Sequence, residues 1–149
     1  MEYKNLVIDF AERTKQNNEM LRKLQIENPN LEFYEVTQLI NSLLGLLVFP
    51  QQEYVDNIPK TPLDELEKLG WPIPKVVGDY PQVKNLNQLV RYLRNSIAHF
   101  NIKFINESQK IAGLTVWNKK GHEITWKATL TISDIEEITN RFVDLMLEE

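Results

Sequence analysis

Apolar residues recur at three- and four-residue steps along most of this chain and switch to strict alternation only in its last third. Residues 3–27 carry Leu6, Phe10, Met20, Leu21 and Leu24 at helical spacing and run into Asn28-Pro29-Asn30, which predicts one long first helix with those residues on its buried stripe. Residues 33–48 predict a second helix. Its C-terminal half (Leu43, Leu44, Leu46, Leu47, Val48) is apolar nearly all round, the mark of a central, buried element. Asn41 within it would then need a hydrogen-bond partner. A third main helix is predicted over residues 85–99, where Leu86, Val90, Leu93, Ile97 and Phe100 form the core stripe. The period then falls to two over 102–105, 111–118 and 123–131, predicting three strands. Lys119-Lys120-Gly121 fits a three-residue hairpin loop, a register that pairs Val116 with Ile124 and Leu114 with Trp126 on one face. The last helix, over 134–148, is expected to start at a capping box made by Ser133 and Glu136 and to bury Ile135, Ile138, Phe142 and Leu145.

Pro50 to Pro81 holds six of the seven prolines. One short helix is expected there, with Thr61 as N-cap, Pro62 in the first turn, Asp64 and Glu65 at the positive end of the dipole, and Gly70 as the stop. The remainder of 50–82 reads as a structured connection that Trp71 and Tyr80 can pin to the body. The expected architecture is mainly α: a helical bundle decorated, over about 102–131, by a small antiparallel hairpin or three-stranded sheet before the C-terminal helix. All of 1–149 is read as a single domain.

Composition adds exclusions. At 42% hydrophobic and 26% charged, the chain can bury one sizeable core. It contains no cysteine, which excludes disulfides, thiolate metal sites and a cysteine nucleophile. No run approaches the roughly 20 apolar residues of a membrane span, and residues 1–15 lack a signal-like apolar segment, so a cytoplasmic location is expected. The carboxylates form no convincing metal set, and no Gly-rich phosphate loop or Ser-His-Asp arrangement stands in the sequence; neither a metal nor a cofactor is expected.

The net charge of −4 is unevenly spread. Residues 1–79 hold 8 basic and 13 acidic side chains, residues 80–133 hold 8 and 2, and residues 134–149 hold 1 and 6. Tyr80 to Asn106 contains no carboxylate. Such a segment makes a local anion-attracting surface without a basic pI, unless the acidic helices neutralise it in three dimensions.

Chemistry concentrates in Arg94-Asn95-Ser96-Ile97-Ala98-His99. At about 100° per residue, Asn95 lies opposite the core stripe of this helix, with Arg91 and His99 on either side of it. Asn95 and His99 are i, i+4 neighbours. Arg94 stands about 140° from His99 with Asn95 and the small Ala98 between them, and Ala98 leaves room there for another helix. Histidine is the side chain that moves a proton near neutrality, a guanidinium holds a phosphate through two N–H groups, and an amide orients either one. Together they suffice for metal-free cleavage of RNA, more readily if a two-fold dimer doubles the set. A histidine near a helix C-terminus also serves the helix dipole, which requires no chemistry at all. His122, beside the hairpin turn, reads as a solvated turn residue. Trp126 is assigned to the core. Trp117, on the other face of its strand, is open between a second packing layer and a partner surface. Lys119 and Lys120 suit phosphates, but the reading preferred for them is a solvated turn, since lysines also keep a hairpin end soluble.

RNSIAH (94–99) resembles the R-polar-x-x-x-H signature of the HEPN superfamily. EVTQLINSLLGLLVFP (35–50), GWPIPKVVGDYPQVKNL (70–86) and LVRYLRNSIAHFNIKF (89–104) are similar to a prokaryotic HEPN-nuclease subgroup. The resemblance implies a helical bundle and a homodimer with facing signatures. It further implies metal-independent cleavage of RNA leaving a 2′,3′-cyclic phosphate, in a toxin–antitoxin or anti-phage setting with a cognate antitoxin or regulator protein. Arg94 and His99 match the catalytic pair and Asn95 the supporting position; Lys84, Arg91 and Lys103 are the candidates for further RNA contacts. The alternative is a non-catalytic HEPN-like dimer that binds RNA or a protein partner. HEPN toxins paired with a small nucleotidyltransferase often carry Tyr two residues past the His. Asn101 stands there instead, which removes the basis for regulation at that tyrosine.

Overall fold

A computed structural model describes residues 3–30, 35–43, 45 and 56–148. Its elements are α1 (Tyr3–Glu27), α2 (Glu35–Leu43), α3 (Leu63–Lys68), β1 (Lys75–Val76), α4 (Leu86–Ala98), β2 (Ile102–Glu107), β3 (Lys110–Lys120), β4 (Glu123–Thr131) and α5 (Ile132–Leu147). The strands form one antiparallel sheet in the order β1-β4-β3-β2. The architecture is thus mixed, helices with a four-stranded sheet, where a mainly α bundle with three strands was expected. The extra strand comes from the proline-rich connection: Lys75 pairs with Thr129 and Val76 with Ala128. Two residues are too few to show a period. Of the predicted second helix, residues 33, 34, 44 and 46–48 are not among those described. No helix of the described residues is long and apolar enough to cross a membrane.

The core lies between α4 and α5 and one face of the sheet. Leu86, Leu89, Val90, Leu93 and Ile97 meet Leu114, Val116, Trp126, Ala128 and Leu130 from the strands and Ile135, Ile138, Phe142, Val143 and Met146 from α5. Tyr92 tilts against Trp126 at 5.2 Å between ring centroids. The helix α1 packs on α5, and its Ala11 and Thr14 are buried. Two ion pairs, Arg22 to Glu136 and Lys15 to Asp144 at 3.0 Å, add to this contact. The hydrogen bond from Lys15 to Asp144, reinforced by the carboxylate's charge, holds the ammonium above its ordinary pKa.

Several local expectations are corrected. Phe10, Met20 and Leu24 are exposed, and among the described residues Ala11 and Thr14 are the buried positions of α1 instead. Asn41 is exposed and needs no buried partner. Pro62, not Thr61, is the N-cap of α3; Gly70, at φ +91°, ends it as expected, with Trp71 N–H bonded to the Leu66 carbonyl and Gly70 N–H to that of Glu67. Trp71 then packs on the core under the Arg141 guanidinium, 5.9 Å from the ring centroid. The capping box of α5 is made by Thr131 and Asp134, which exchange bonds of 3.0 and 3.1 Å, two residues earlier than Ser133 and Glu136.

The hairpin register also differs. Lys120 pairs with Glu123 across a two-residue loop, Gly121-His122, and Gly121 at φ +65° takes the first central position, where a type II′ turn favours glycine. Thr125 is an extra residue in β4, bulged between the pairs Lys119–Ile124 and Asn118–Trp126. Val116 therefore pairs with Ala128 and Leu114 with Leu130, four residues from the expected partners. An even shift keeps Trp126, Ala128 and Leu130 on their expected face, so Trp126 is still core, whereas Ile124, beyond the bulge, pairs with Lys119 instead of Val116.

Candidate active site

The helix α4 is fixed at both ends. Asn85 is its N-cap and accepts from Gln88 N–H at 2.8 Å. Asn87 Nδ2, buried, donates to the Ile58 carbonyl at 3.1 Å. At the other end His99 is the C-cap. Phe100 adopts φ +55°, its N–H bonds the Ile97 carbonyl (3.1 Å) and Asn101 N–H bonds that of Ser96 (2.7 Å). This is a Schellman motif with an aromatic residue where glycine is usual. It turns the chain out of the helix, so Phe100 is 72% exposed and leaves the core stripe to which its spacing assigned it. The chain enters β2 directly, and the Asn101 carbonyl accepts from Trp117 N–H at 3.2 Å.

Ser96, fully buried, ties the helix to the hairpin. Its hydroxyl proton is shared among the carbonyls of Trp117 (2.9 Å) and Tyr92 (3.0 Å) and Asn118 Oδ1 (3.0 Å). These bonds hold the end of β3 against the last turn of α4. Between them lies a cleft of about 360 Å³ lined by Asn95, His99, Asn101, Asn118, Lys119 and Gly121. The volume suits a small polar ligand or one unit of a polymer. Among the described residues that line it none is a carboxylate; a histidine, a lysine and three amides converge there.

Of the catalytic set read from the sequence, Asn95 and His99 share this cleft, both exposed. Arg94 is half-buried on the same helix and does not line the cleft. Ala98 is exposed on the same side of α4. The outlying candidates are dispersed. Lys84 precedes α4, about 20 Å from its other end. Arg91 is paired with Asp56 at 3.0 Å. Lys103 is exposed on β2, the edge strand beside the cleft-forming β3. Sequence reasoning missed Asn101 and Asn118 as neighbours of His99, and weighed Lys119 as a phosphate contact against a solvated turn without placing it beside His99. Asn118 did carry a signal, since a polar residue follows Leu114 and Val116 in their buried register.

Residues 1–149, the whole chain, match the family model described as HEPN pEK499 p136, so the protein belongs to that HEPN family. Comparison with curated proteins and with solved structures gives no match.

Proposed function

We propose that the protein is a metal-independent endoribonuclease of HEPN type, working as a homodimer whose active site is shared between copies. The observation that carries this is the convergence of Asn95 and His99 in one cleft at the end of α4, in a chain of HEPN membership. His99 takes the proton of a ribose 2′-hydroxyl. The 2′-oxygen attacks the adjacent phosphorus, the bond from phosphorus to the 5′-oxygen breaks, and that oxygen is protonated by the imidazolium of the second copy. The products are a 2′,3′-cyclic phosphate and a 5′-hydroxyl. Arg94 neutralises charge on the pentacoordinate phosphorus, and Asn95 orients His99 or the phosphate. One histidine acting as acid or base supplies about 10²- to 10⁴-fold; electrostatic stabilisation, from two guanidinium groups in a dimer, supplies the rest.

The position of Arg94 outside the cleft of a single chain supports completion of the site by a second copy. It equally favours a second reading, a silent dimer that binds RNA or a protein. Either reading fits a toxin–antitoxin or anti-phage role with a cognate regulator. Cleavage of a structured RNA in EDTA tests the first: wild type is expected to give cyclic-phosphate ends and His99→Ala none. Cleavage by neither, at concentrations where the dimer forms, moves the conclusion to the silent dimer.

A further inference from the structure

The sheet has one face on the core and one without a described helix upon it. Leu114, Val116, Ala128 and Leu130 take the inner face, so Thr115, Trp117, Lys127 and Thr129 take the outer one. Cross-strand pairing extends this outer face. One row runs Lys103–Thr115–Thr129–Lys75, with a lysine at each edge of the sheet. The neighbouring row pairs Trp117, half-buried, with Lys127. Neither row contains a carboxylate. Two positions beyond Trp117 on the same strand, and so on the same face, stands Lys119, which lines the cleft that holds His99.

We infer that this outer face is a platform for single-stranded RNA, leading flanking nucleotides of the substrate to His99; the inference rests on the ribonuclease reading above. A strand leaving the cleft passes Lys119, stacks a base on Trp117, and places its phosphates among Lys127, Lys103 and Lys75. An indole flanked by ammonium groups is the chemistry of single-strand recognition, because every base has a π-face and every nucleotide a charge. A duplex hides its base faces and gains nothing from Trp117.

The test uses a fluorescent single-stranded 2′-O-methyl 12-mer oligouridylate, which lacks the attacking hydroxyl, with a trinucleotide and a 12-base-pair duplex of the same chemistry for comparison. Anisotropy is expected to show that Trp117→Ala weakens 12-mer binding about ten-fold or more, while Trp117→Phe, which preserves the ring and the packing, stays within about three-fold. The double variant Lys103→Gln/Lys127→Gln should lower the slope of log K against log salt by about 1.4. Trinucleotide binding, confined to the cleft, should not change.

Equal 12-mer affinity in wild type and Trp117→Ala overturns the platform, as does an equal loss for trinucleotide and 12-mer, or a preference for duplex. Cleavage by wild type with a KM unmoved by any of these substitutions also overturns it and leaves the ribonuclease reading standing. Binding that depends on Trp117 and the lysines, without cleavage, supports the platform and removes the catalytic reading. Absence of both binding and cleavage removes both.

Discussion

Ser96 Oγ lies 3.0 Å from Asn118 Oδ1 across the junction of α4 and β3, so the helix that carries His99 and the strand that carries Lys119 are joined by a buried polar contact. Removing the hydroxyl by Ser96→Ala leaves the Asn118 side chain, buried to 7% exposure, without this partner. The expected cost is about 1–3 kcal/mol. It should appear in urea unfolding as a lower midpoint with an unchanged slope. Because the contact joins the two elements that line the cleft, cleavage by Ser96→Ala should fall even where the protein is fully folded. A variant as active as wild type would show that the two walls are aligned by other means.

Phe100 offers the opposite test, stability gained and function lost. Left-handed backbone costs a non-glycine residue roughly 1–2 kcal/mol, and at 72% exposure the ring recovers little of this within one chain. Phe100→Gly should therefore stabilise the isolated protein by about 1 kcal/mol and raise its melting temperature. If the ring meets the second copy next to His99, the same variant should dimerise less well and cut RNA more slowly. Higher stability with full activity would make the exposed ring idle.

The longer helices and strands are legible in the sequence because they show a clean period over many residues. Tyr3–Glu27 and Leu86–Ala98 follow from apolar stripes and their end signals, and Glu123–Thr131 from alternation. What escaped was set by turns or by contacts distant in sequence. The step from Ile97 to Phe100 has helical spacing, yet the Schellman turn between them points the ring outward, and no periodicity can register that. The hairpin loop admitted more than one register with the same faces, and the bulge at Thr125 decided between them. Arg94, Asn95 and His99 were found together because they lie within two turns of one helix. Asn118 and Lys119 reach the same cleft only through the pairing of β3 with β2 and its bonds to Ser96.

The capping box of α5 can be separated from the site. Thr131 and Asp134 satisfy each other's backbone N–H groups at the start of the helix that carries Ile135, Ile138 and Phe142 into the core. Thr131→Ala should cost about 1 kcal/mol in global stability. The site lies on α4 and the far end of the hairpin, so RNA cleavage at a temperature where the variant is folded should equal that of wild type. A loss of activity without loss of fold would mean that α5 reaches the site through a path other than packing.

The last prediction concerns what covers the exposed side of α4. Asn95, Ala98 and His99 are all exposed there, and the small Ala98 permits close approach of a second helix. Replacing it by Ala98→Arg adds bulk and charge at that point. Arginine is nearly as good a helix former as alanine, so an exposed substitution of this kind leaves the folded chain's own stability within about 0.5 kcal/mol. Sedimentation velocity should show wild type as a dimer and Ala98→Arg shifted toward monomer, with RNA cleavage falling in proportion. Mixing Ala98→Arg with excess His99→Ala protein should not restore cleavage if both copies must close on this face. An undisturbed dimer with undisturbed cleavage would place the contact elsewhere and leave each cleft to work alone, which would require Arg94 to reach the phosphate within one chain.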